Sequence, residues 1–340
     1  MKLETETGSS EFFIGSSLDS LSSHCRSRKI VLIVDSNVLS LYGERLKGFE
    51  IIDIGHGERV KNLKTIDKIY ERFLELEVDK SHMVVGVGGG VTCDIAGFAA
   101  STYMRGIPFS FVPTTLLAQV DASIGGKNGV NLKGYKNLIG TIRQPEFCLI
   151  DLNFLKTLPR TEFISGLAEI VKSAAISDAP FFHHLEENYG PILSMEEIEV
   201  ERAVRSAISI KISIVNLDEM EKWERMKLNF GHTIGHAIEK VARIPHGTAV
   251  SLGMVAAAEL SVERGLLPHS EMHRLTVLLQ NMGLPSEMEV DRSMVMDAIT
   301  KDKKKRGDRI NMILLQGIGN AVIVPVEKEE LWNGIDEVCR

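Results

Sequence analysis

Hydrophobic periodicity changes character once along this chain, near residue 158, and that change constrains the fold more than any single motif. Between Lys29 and Ile150, short β-branched runs alternate with stretches at helical spacing, the pattern of βαβ units and a mainly parallel sheet. "KIVLIVD" (29–35), "HMVVGV" (82–87), "IPFSFV" (107–112) and "EFCLID" (146–151) read as strands. "KNLKTIDKIYERFLEL" (61–76) carries Leu63, Ile66, Ile69, Tyr70, Phe73 and Leu74 at helical spacing. Beyond 158 the runs lengthen into helical patterns over 161–177, 197–216, 224–242, 247–264, 269–282 and 291–300. A hairpin, "INMILLQGIGNAVIVPV" (310–326), is predicted near the end. The expectation is an α/β N-terminal domain over residues 1–157 and a mainly α-helical C-terminal domain over 158–340.

Length agrees with two domains, because 340 residues exceed what one hydrophobic core usually supports. Hydrophobic residues at 44% and charged residues at 25% are ordinary globular values. The apolar runs are broken well before the roughly 18 residues a membrane span needs, and "MKLETETGSSEFF" lacks a basic-then-apolar leader pattern, so a cytoplasmic protein is expected. Cys25, Cys93, Cys148 and Cys339 show no CxxC spacing, so a bound metal would use nitrogen and oxygen donors. A formal charge of -7 opposes a nucleic-acid or anionic-membrane partner. The basic run "KDKKKR" (301–306) is by itself a solvated loop.

"VVGVGGGVTCDIAGFAAS" (84–101) follows a predicted strand and opens a predicted helix, the place where backbone N–H groups and a helix N-terminus meet phosphate oxygens. The spacing is not a clean GxGxxG: counting from Gly88 and Gly90, Cys93 occupies the third glycine position, and no acidic residue sits about 20 further on. A glycine turn required only for tight packing is the plain alternative. Asp35 ends the first strand and Thr114/Thr115 follow the third, so three strand ends converge on one crevice of a Rossmann-like domain.

"NFGHTIGHAIEKVARIPHG" (229–247) holds three histidines. His232 and His236 are four apart in a helical segment and share a face, and His246 lies ten further on. Spacing alone favours His232 with His236 as ligands, as in HExxH sites, although no Glu follows the first His here. "SGLAEIVKSAAIS" (165–177) places Glu169 and Lys172 three apart among Ala and Ile, either a ligand with a neighbouring cation or a simple helical ion pair. Arg105, Lys127, Lys133, Lys136 and Arg225 sit beside glycines and amides, where they suit a substrate carrying phosphate and carboxylate.

With these residues assembled, the chain resembles the 3-dehydroquinate synthase family from about residue 30 to 325. "GGGVTCDIAGFAASTYMRGI", "VPTTLLAQVDASIGGKNGVN", "GYKNLIGTIRQP", "FLKTLP", "GLAEIVKSAAI" and "LNFGHTIGHAIE" stand in that family's order and spacing. The resemblance implies an NAD- and divalent-metal-dependent (zinc or cobalt) lyase of the shikimate pathway. Such an enzyme converts 3-deoxy-D-arabino-heptulosonate 7-phosphate to 3-dehydroquinate and phosphate by transient oxidation at C5, phosphate elimination, re-reduction and aldol closure. It implies metal ligands Glu169, His232 and His246, which removes His236 from the ligand set.

For NAD the resemblance implies Asp35, Glu58, Lys61, Gly89, Gly90, Val91, Thr92, Cys93, Asp94, Thr114, Thr115, Lys127, Lys136, Phe154, Leu155, Lys156 and Thr157. For substrate binding it implies Arg105, Asp121, Asn137 and Lys211, and for catalysis His236, Lys127, Lys172, Arg225 and Asn229. A sugar phosphate substrate and a homodimer are further expectations. Cys93 and His56 depart from commoner family residues, and either Lys303 or Lys304 is expected to reach substrate. The rival readings are a sister sugar phosphate cyclase and a metal-dependent polyol dehydrogenase of related fold, the latter giving net NADH.

Overall fold

The structure, a computed structural model, describes residues 1–303 and 309–340 apart from the side chains of 302 and 303. The Lys303 side chain and Lys304, the two alternatives for reaching substrate, therefore lie outside what is described. The chain forms two compact units, Met1–Pro159 and Arg160–Arg340.

In the first unit, β1 (Lys2–Thr5), β2 (Gly8–Ile14), β3 (Lys29–Val34), β4 (Glu50–Asp53), β5 (His82–Gly88), β6 (Phe109–Pro113) and β9 (Phe147–Ile150) make one sheet in the order β1-β2-β9-β6-β5-β3-β4. Every pairing is parallel except β1 with β2. Strand β5 is buried at every position, which is why "HMVVGVG" is continuously apolar rather than alternating. The chain passes from β3 outward to β4 and returns to β5 on the other side of β3, so the order reverses between β3 and β5. Their carboxyl ends, Asp35 and Gly89, flank the crevice where open α/β sheets bind ligands.

The four expected strands appear as β3, β5, β6 and β9. The expected helix at 61–76 is α3 (Leu63–Glu75), which follows the short α1 (Leu21–His24) and α2 (Ser36–Tyr42). It starts two residues late because the Asn62 carboxamide accepts from Lys64 N at 2.9 Å and Thr65 N at 3.2 Å, capping the first turn. Helix α4 (Gly90–Thr102) follows β5 directly. The periodicity reading omits the edge strands β1 and β4, the neighbouring β2, and the separate hairpin of β7 (Lys127–Leu132) with β8 (Tyr135–Ile142). Strand β8 has no buried position and carries Lys136, Asn137 and Gly140, so no apolar alternation marks it.

The second unit contains α5 (Arg160–Ser177), α6 (Ala179–Leu193), α7 (Glu197–Leu217), α8 (His232–Ala242), α9 (His246–Glu263), α10 (His269–Asn281), α11 (Arg292–Lys303) and α12 (Leu331–Val338). An antiparallel hairpin pairs β10 (Arg309–Leu315) with β11 (Ala321–Glu327), as expected. Helices α5 and α9 are apolar around most of their circumference and form the core of the unit.

One continuous helix over 224–242 is corrected. A 3-10 turn spans Glu224–Asn229, Gly231 adopts φ +78°, and α8 begins afresh at His232. The break follows from Gly231, which sits in the left-handed region, and a Cβ there would meet Met254 Cγ at 2.7 Å. Helices α6 and α12 lie outside the expected set; Gly190 and Pro191 near the end of α6 mask its period.

Candidate active site

In the first unit, the turn from β5 into α4 brings backbone close to side chains from two neighbouring elements. A Cβ on Gly88 would stand 2.4 Å from Thr92 Oγ1, one on Gly89 3.1 Å from Thr115 Cγ2, and one on Gly90 3.0 Å from Ala122 Cβ. Gly89 occupies the N-cap of α4 with no side chain capping it, so the first N–H groups of a 13-residue helix point at the crevice free to meet an anion. Asp35 caps α2 through Asn37 N at 2.8 Å, and Thr115 Oγ1 accepts from Ala118 N at 3.1 Å.

Buried Lys61 pairs with Asp94 of α4. Asn131 of β7 donates to Glu58 Oε1 at 2.7 Å, and its backbone N–H donates to Lys61 O at 2.9 Å. Burial pushes the Asp94 carboxyl up to about 6; Lys61 opposes this, while Glu58 and Asp121 add to it. Glu58, Lys61, Asp94 and Asp121 are thus electrostatic neighbours. Thr157 is exposed and meets the Tyr42 hydroxyl at 2.6 Å, and Lys156 reaches Asn153 Oδ1 at 2.8 Å.

Several expected cofactor residues are turned inward. Phe154 and Leu155 are core side chains, Thr92 is buried, and Cys93 is buried against Gly88 O, its thiol pushed well up by burial. From these four only backbone atoms can face a ligand, whereas Val91 is partly exposed. Arg105 (φ +62°), Lys127, Lys136 and Asn137 (φ +52°) are exposed, and Asn137 N donates to Asn131 Oδ1 at 2.9 Å.

In the second unit, Glu169 of α5 is 1% exposed, and neither carboxylate oxygen makes a directional hydrogen bond. Oε2 faces the ammonium of Lys172, itself 2% exposed. Oε1 faces His232 Nε2 at 3.5 Å and His246 Nε2 at 3.4 Å, both too long for good hydrogen bonds. Each imidazole is held from behind: His232 Nδ1 lies 3.1 Å from Phe230 O, and His246 Nδ1 lies 3.1 Å from Glu239 Oε2. Both partners only accept, so both Nδ1 atoms carry hydrogen, and the Nε2 atoms are the ones that face Glu169. Two imidazole nitrogens and one carboxylate oxygen facing each other, with the carboxylate otherwise orphaned in the core, fit a divalent ion such as zinc or cobalt.

The electrostatics set the two imidazoles apart: His232 is held neutral, and His246 is held protonated between two carboxylates until an ion displaces its proton. Burial would raise Glu169, but Lys172 and the two imidazoles outweigh it and hold the carboxyl well below its usual range. Burial and the Lys172 cation lower His232 to about 3, keeping its ring neutral. Burial would lower His246 too, yet Glu169 and Glu239 raise it to about 9.

Small residues bring the helices close enough for this contact. Gly247 N donates to Ser165 Oγ at 2.9 Å, and a Cβ on Gly247 would stand 2.3 Å from Ser165 O, so only glycine after His246 lets α9 meet α5. A Cβ on Gly253 would fall 1.8 Å from Gly231 O, and one on Gly235 would fall 2.6 Å from Ala249 O, which sets how near α8 lies to α9.

His236 is exposed on α8, its ring centroid 5.0 Å from that of His232 and 5.8 Å from that of His246. The HExxH-like pairing of His232 with His236 is therefore not what faces Glu169. Arg225 is buried, donating to Glu219 O at 2.6 Å, and Asn229 donates to Glu221 Oε1 at 2.6 Å. Lys211 is buried on α7. A cavity of about 880 Å³ is lined by Asn229, His232 and His236 together with Glu221, Thr233 and Asn311, none of the last three among the expected residues. Glu221 and Asn311 belong to a turn and a strand with no recognisable spacing to the histidines, so no sequence signal points to them.

A second cavity, about 470 Å³ and lined by Lys29, Gly48 and His82, lies at the amino ends of the strands, away from the ligand end of the sheet.

A family model described as 3-dehydroquinate synthase N-terminal matches residues 51–165, and one described as 3-dehydroquinate synthase C-terminal matches residues 166–305. The 3-dehydroquinate synthase of Alkaliphilus metalliredigens is 43% identical over 315 residues, covering 89% of this chain and 88% of that one. The enzyme of the same name from Thermoanaerobacter pseudethanolicus is 42% identical over 322 residues, covering 91% and 90%. Among solved structures, 2-epi-5-epi-valiolone synthase from Streptomyces hygroscopicus subsp. jinggangensis, with NAD+ and Zn2+ bound, superposes with a TM-score of 0.88 at 29% identity, covering 98% of this chain and 97% of that one. A 2-deoxy-scyllo-inosose synthase complexed with carbaglucose-6-phosphate, NAD+ and Co2+ gives 0.86 at 28%, covering 97% and 96%.

Proposed function

The chain belongs to the 3-dehydroquinate synthase family, and from that premise we infer that it converts 3-deoxy-D-arabino-heptulosonate 7-phosphate to 3-dehydroquinate and phosphate, a step toward aromatic amino acids. Its cofactors are NAD and one divalent ion, zinc or cobalt, as in the related cyclases. Bound at these residues, the dinucleotide would supply a reversible hydride acceptor and the ion would supply Lewis-acid polarisation of substrate hydroxyls.

The observation that carries the reading is Glu169, whose buried, otherwise unbonded oxygen faces two imidazole Nε2 atoms. Glu169, His232 and His246 hold the ion, and Lys172 keeps the carboxylate ionised from its other oxygen. Lys172 and Arg225, with Lys127, Arg105 and Lys211, grip the phosphate and carboxylate of the substrate and align the leaving group. Asp121, Asn137 and Asn229 orient its hydroxyls. His236, exposed beside the ligand pair, moves protons at neutral pH.

In the first unit, Gly89, Gly90 and the backbone of Val91, Thr92 and Cys93 present N–H groups to the pyrophosphate. Asp35, Glu58, Lys61, Asp94, Thr114, Thr115, Lys136 and Thr157 bind the rest of the dinucleotide, helped by the Lys156 side chain and the Phe154 and Leu155 backbone. No helix among the described residues is long and apolar enough to cross a membrane. A cytoplasmic homodimer is part of the same reading, and sedimentation of the purified protein tests its dimeric state.

The deciding assay supplies NAD, zinc or cobalt and the heptulosonate phosphate. Phosphate release with no accumulation of NADH is expected. Sustained NADH from a simple polyol would support a dehydrogenase, and equal turnover of a heptulose phosphate lacking the carboxylate would support a sister cyclase.

A further inference from the structure

Glu239 has no part in the roles assigned so far. It lies on the third turn of α8, its side chain 16% exposed, and its Oε2 is 3.1 Å from His246 Nδ1. A carboxylate only accepts, so this contact holds hydrogen on Nδ1, and Nε2, 3.4 Å from Glu169 Oε1, is the nitrogen at which an ion would replace a proton. His232 receives the same fixing from a backbone carbonyl, Phe230 O, which α8's own start supplies. His246 has no backbone equivalent of that contact among the described hydrogen bonds: it opens α9 behind Pro245, and its ring turns to a side chain on another helix.

Donor atoms of Glu239, His236 and His246 also lie within 4.8 Å of one another, a second possible ligand set. His246 belongs to both sets; its contact with Glu239 runs through Nδ1, while Nε2 faces Glu169.

We propose that Glu239 is a positioning residue that fixes the tautomer and ring plane of His246 and thereby sets the affinity of the Glu169–His232–His246 site for its divalent ion. The inference rests on that ligand assignment. Outer-shell carboxylates of this kind alter metal affinity by about 10- to 100-fold when removed.

The test titrates metal-free wild type, Glu239→Ala, Glu239→Gln and Glu169→Gln with zinc against a chromophoric chelator, and with cobalt while its visible absorption is recorded. Glu239→Ala is expected to bind zinc about 10- to 100-fold more weakly and to shift the cobalt bands. Glu239→Gln, whose amide oxygen still accepts from Nδ1–H, is expected to recover part of the affinity and a cobalt spectrum closer to wild type. Wild-type affinity and spectrum in Glu239→Ala, or a Gln variant no tighter than Ala, overturns the proposal. If Glu239→Ala does not fold, Glu239→Gln decides alone: a weakened, spectrally shifted site supports the proposal and an unchanged one overturns it. Undiminished metal binding in Glu169→Gln would instead overturn the ligand assignment beneath it.

Discussion

A carboxylate and an ammonium at 1% and 2% exposure are costly to leave uncompensated, and Glu169 and Lys172 depend on one another until a second cation arrives. Lys172→Met in the metal-free protein strands the carboxylate, and a loss of about 3–5 kcal/mol in urea unfolding is expected. Saturating zinc, placed against Oε1, is expected to narrow that gap; a gap unchanged by zinc would show that the ion does not sit on Glu169. Asp94 supplies the pH signature. Its folded value near 6 lies above its ordinary 3.8, so its contribution to stability is complete below about pH 4 and is lost as pH rises through about 6. Relative to Asp94→Asn, wild type is expected to lose on the order of 3 kcal/mol between pH 4 and 7. Parallel unfolding curves for the two proteins would contradict the assignment. At this scale the sequence is legible where a residue type carries its own chemistry, as with Glu169 and the histidines. It is silent where role depends on direction: nothing in "GGVTCD" says that Cys93 faces inward, and nothing in "HAIEK" says that Glu239 reaches His246.

Elements bring these residues together through helix approach, and the approach is set by glycine. Gly247→Ala places a methyl carbon 2.3 Å from Ser165 O, which must push the first turn of α9 away from α5 and His246 away from Glu169. A loss of about 1–3 kcal/mol is expected from the overpacking, together with weaker zinc binding. Gly190→Ala in α6 meets nothing within 4 Å and serves as the contrast, with a change expected within about 0.5 kcal/mol and metal binding unaltered. Equal effects of the two substitutions would contradict the role given to the α5–α9 contact. Strands β3, β5, β6 and β9 are legible because their burial writes continuous apolar runs, and α5, α7, α9, α10 and α11 because their length sustains a period. The β7–β8 hairpin is not, since β8 has no buried position and the buried stretch of β7, Asn128–Val130, holds a single large apolar residue, and the single helix expected over 224–242 hides the break at Gly231, whose φ +78° separates a 3-10 turn from α8. That break matters for the site: it makes His232 the first residue of a helix, with Phe230 O directly behind its ring.

Across the whole molecule, the switch from strand–helix alternation to long helices corresponds to two compact units that divide the chemistry, a glycine-lined helix N-terminus in one and a carboxylate–imidazole cluster in the other. The change of period falls close to the boundary between the units, while the proposed ligand set is suggested in the sequence by resemblance alone: spacing favours His232 with His236, and a partner 63 residues upstream of His232 leaves no periodic trace. Which histidines hold the ion is the deciding question for this site. Metal content after equilibration with zinc and gel filtration is the direct measurement, made on wild type, His232→Ala, His246→Ala, Glu169→Gln and His236→Ala. One zinc per chain is expected in wild type and His236→Ala, with His236→Ala slow in turnover, and little zinc in the other three. Loss of zinc from His236→Ala equal to that from His232→Ala, or full retention in His246→Ala, would contradict the assignment of Glu169, His232 and His246.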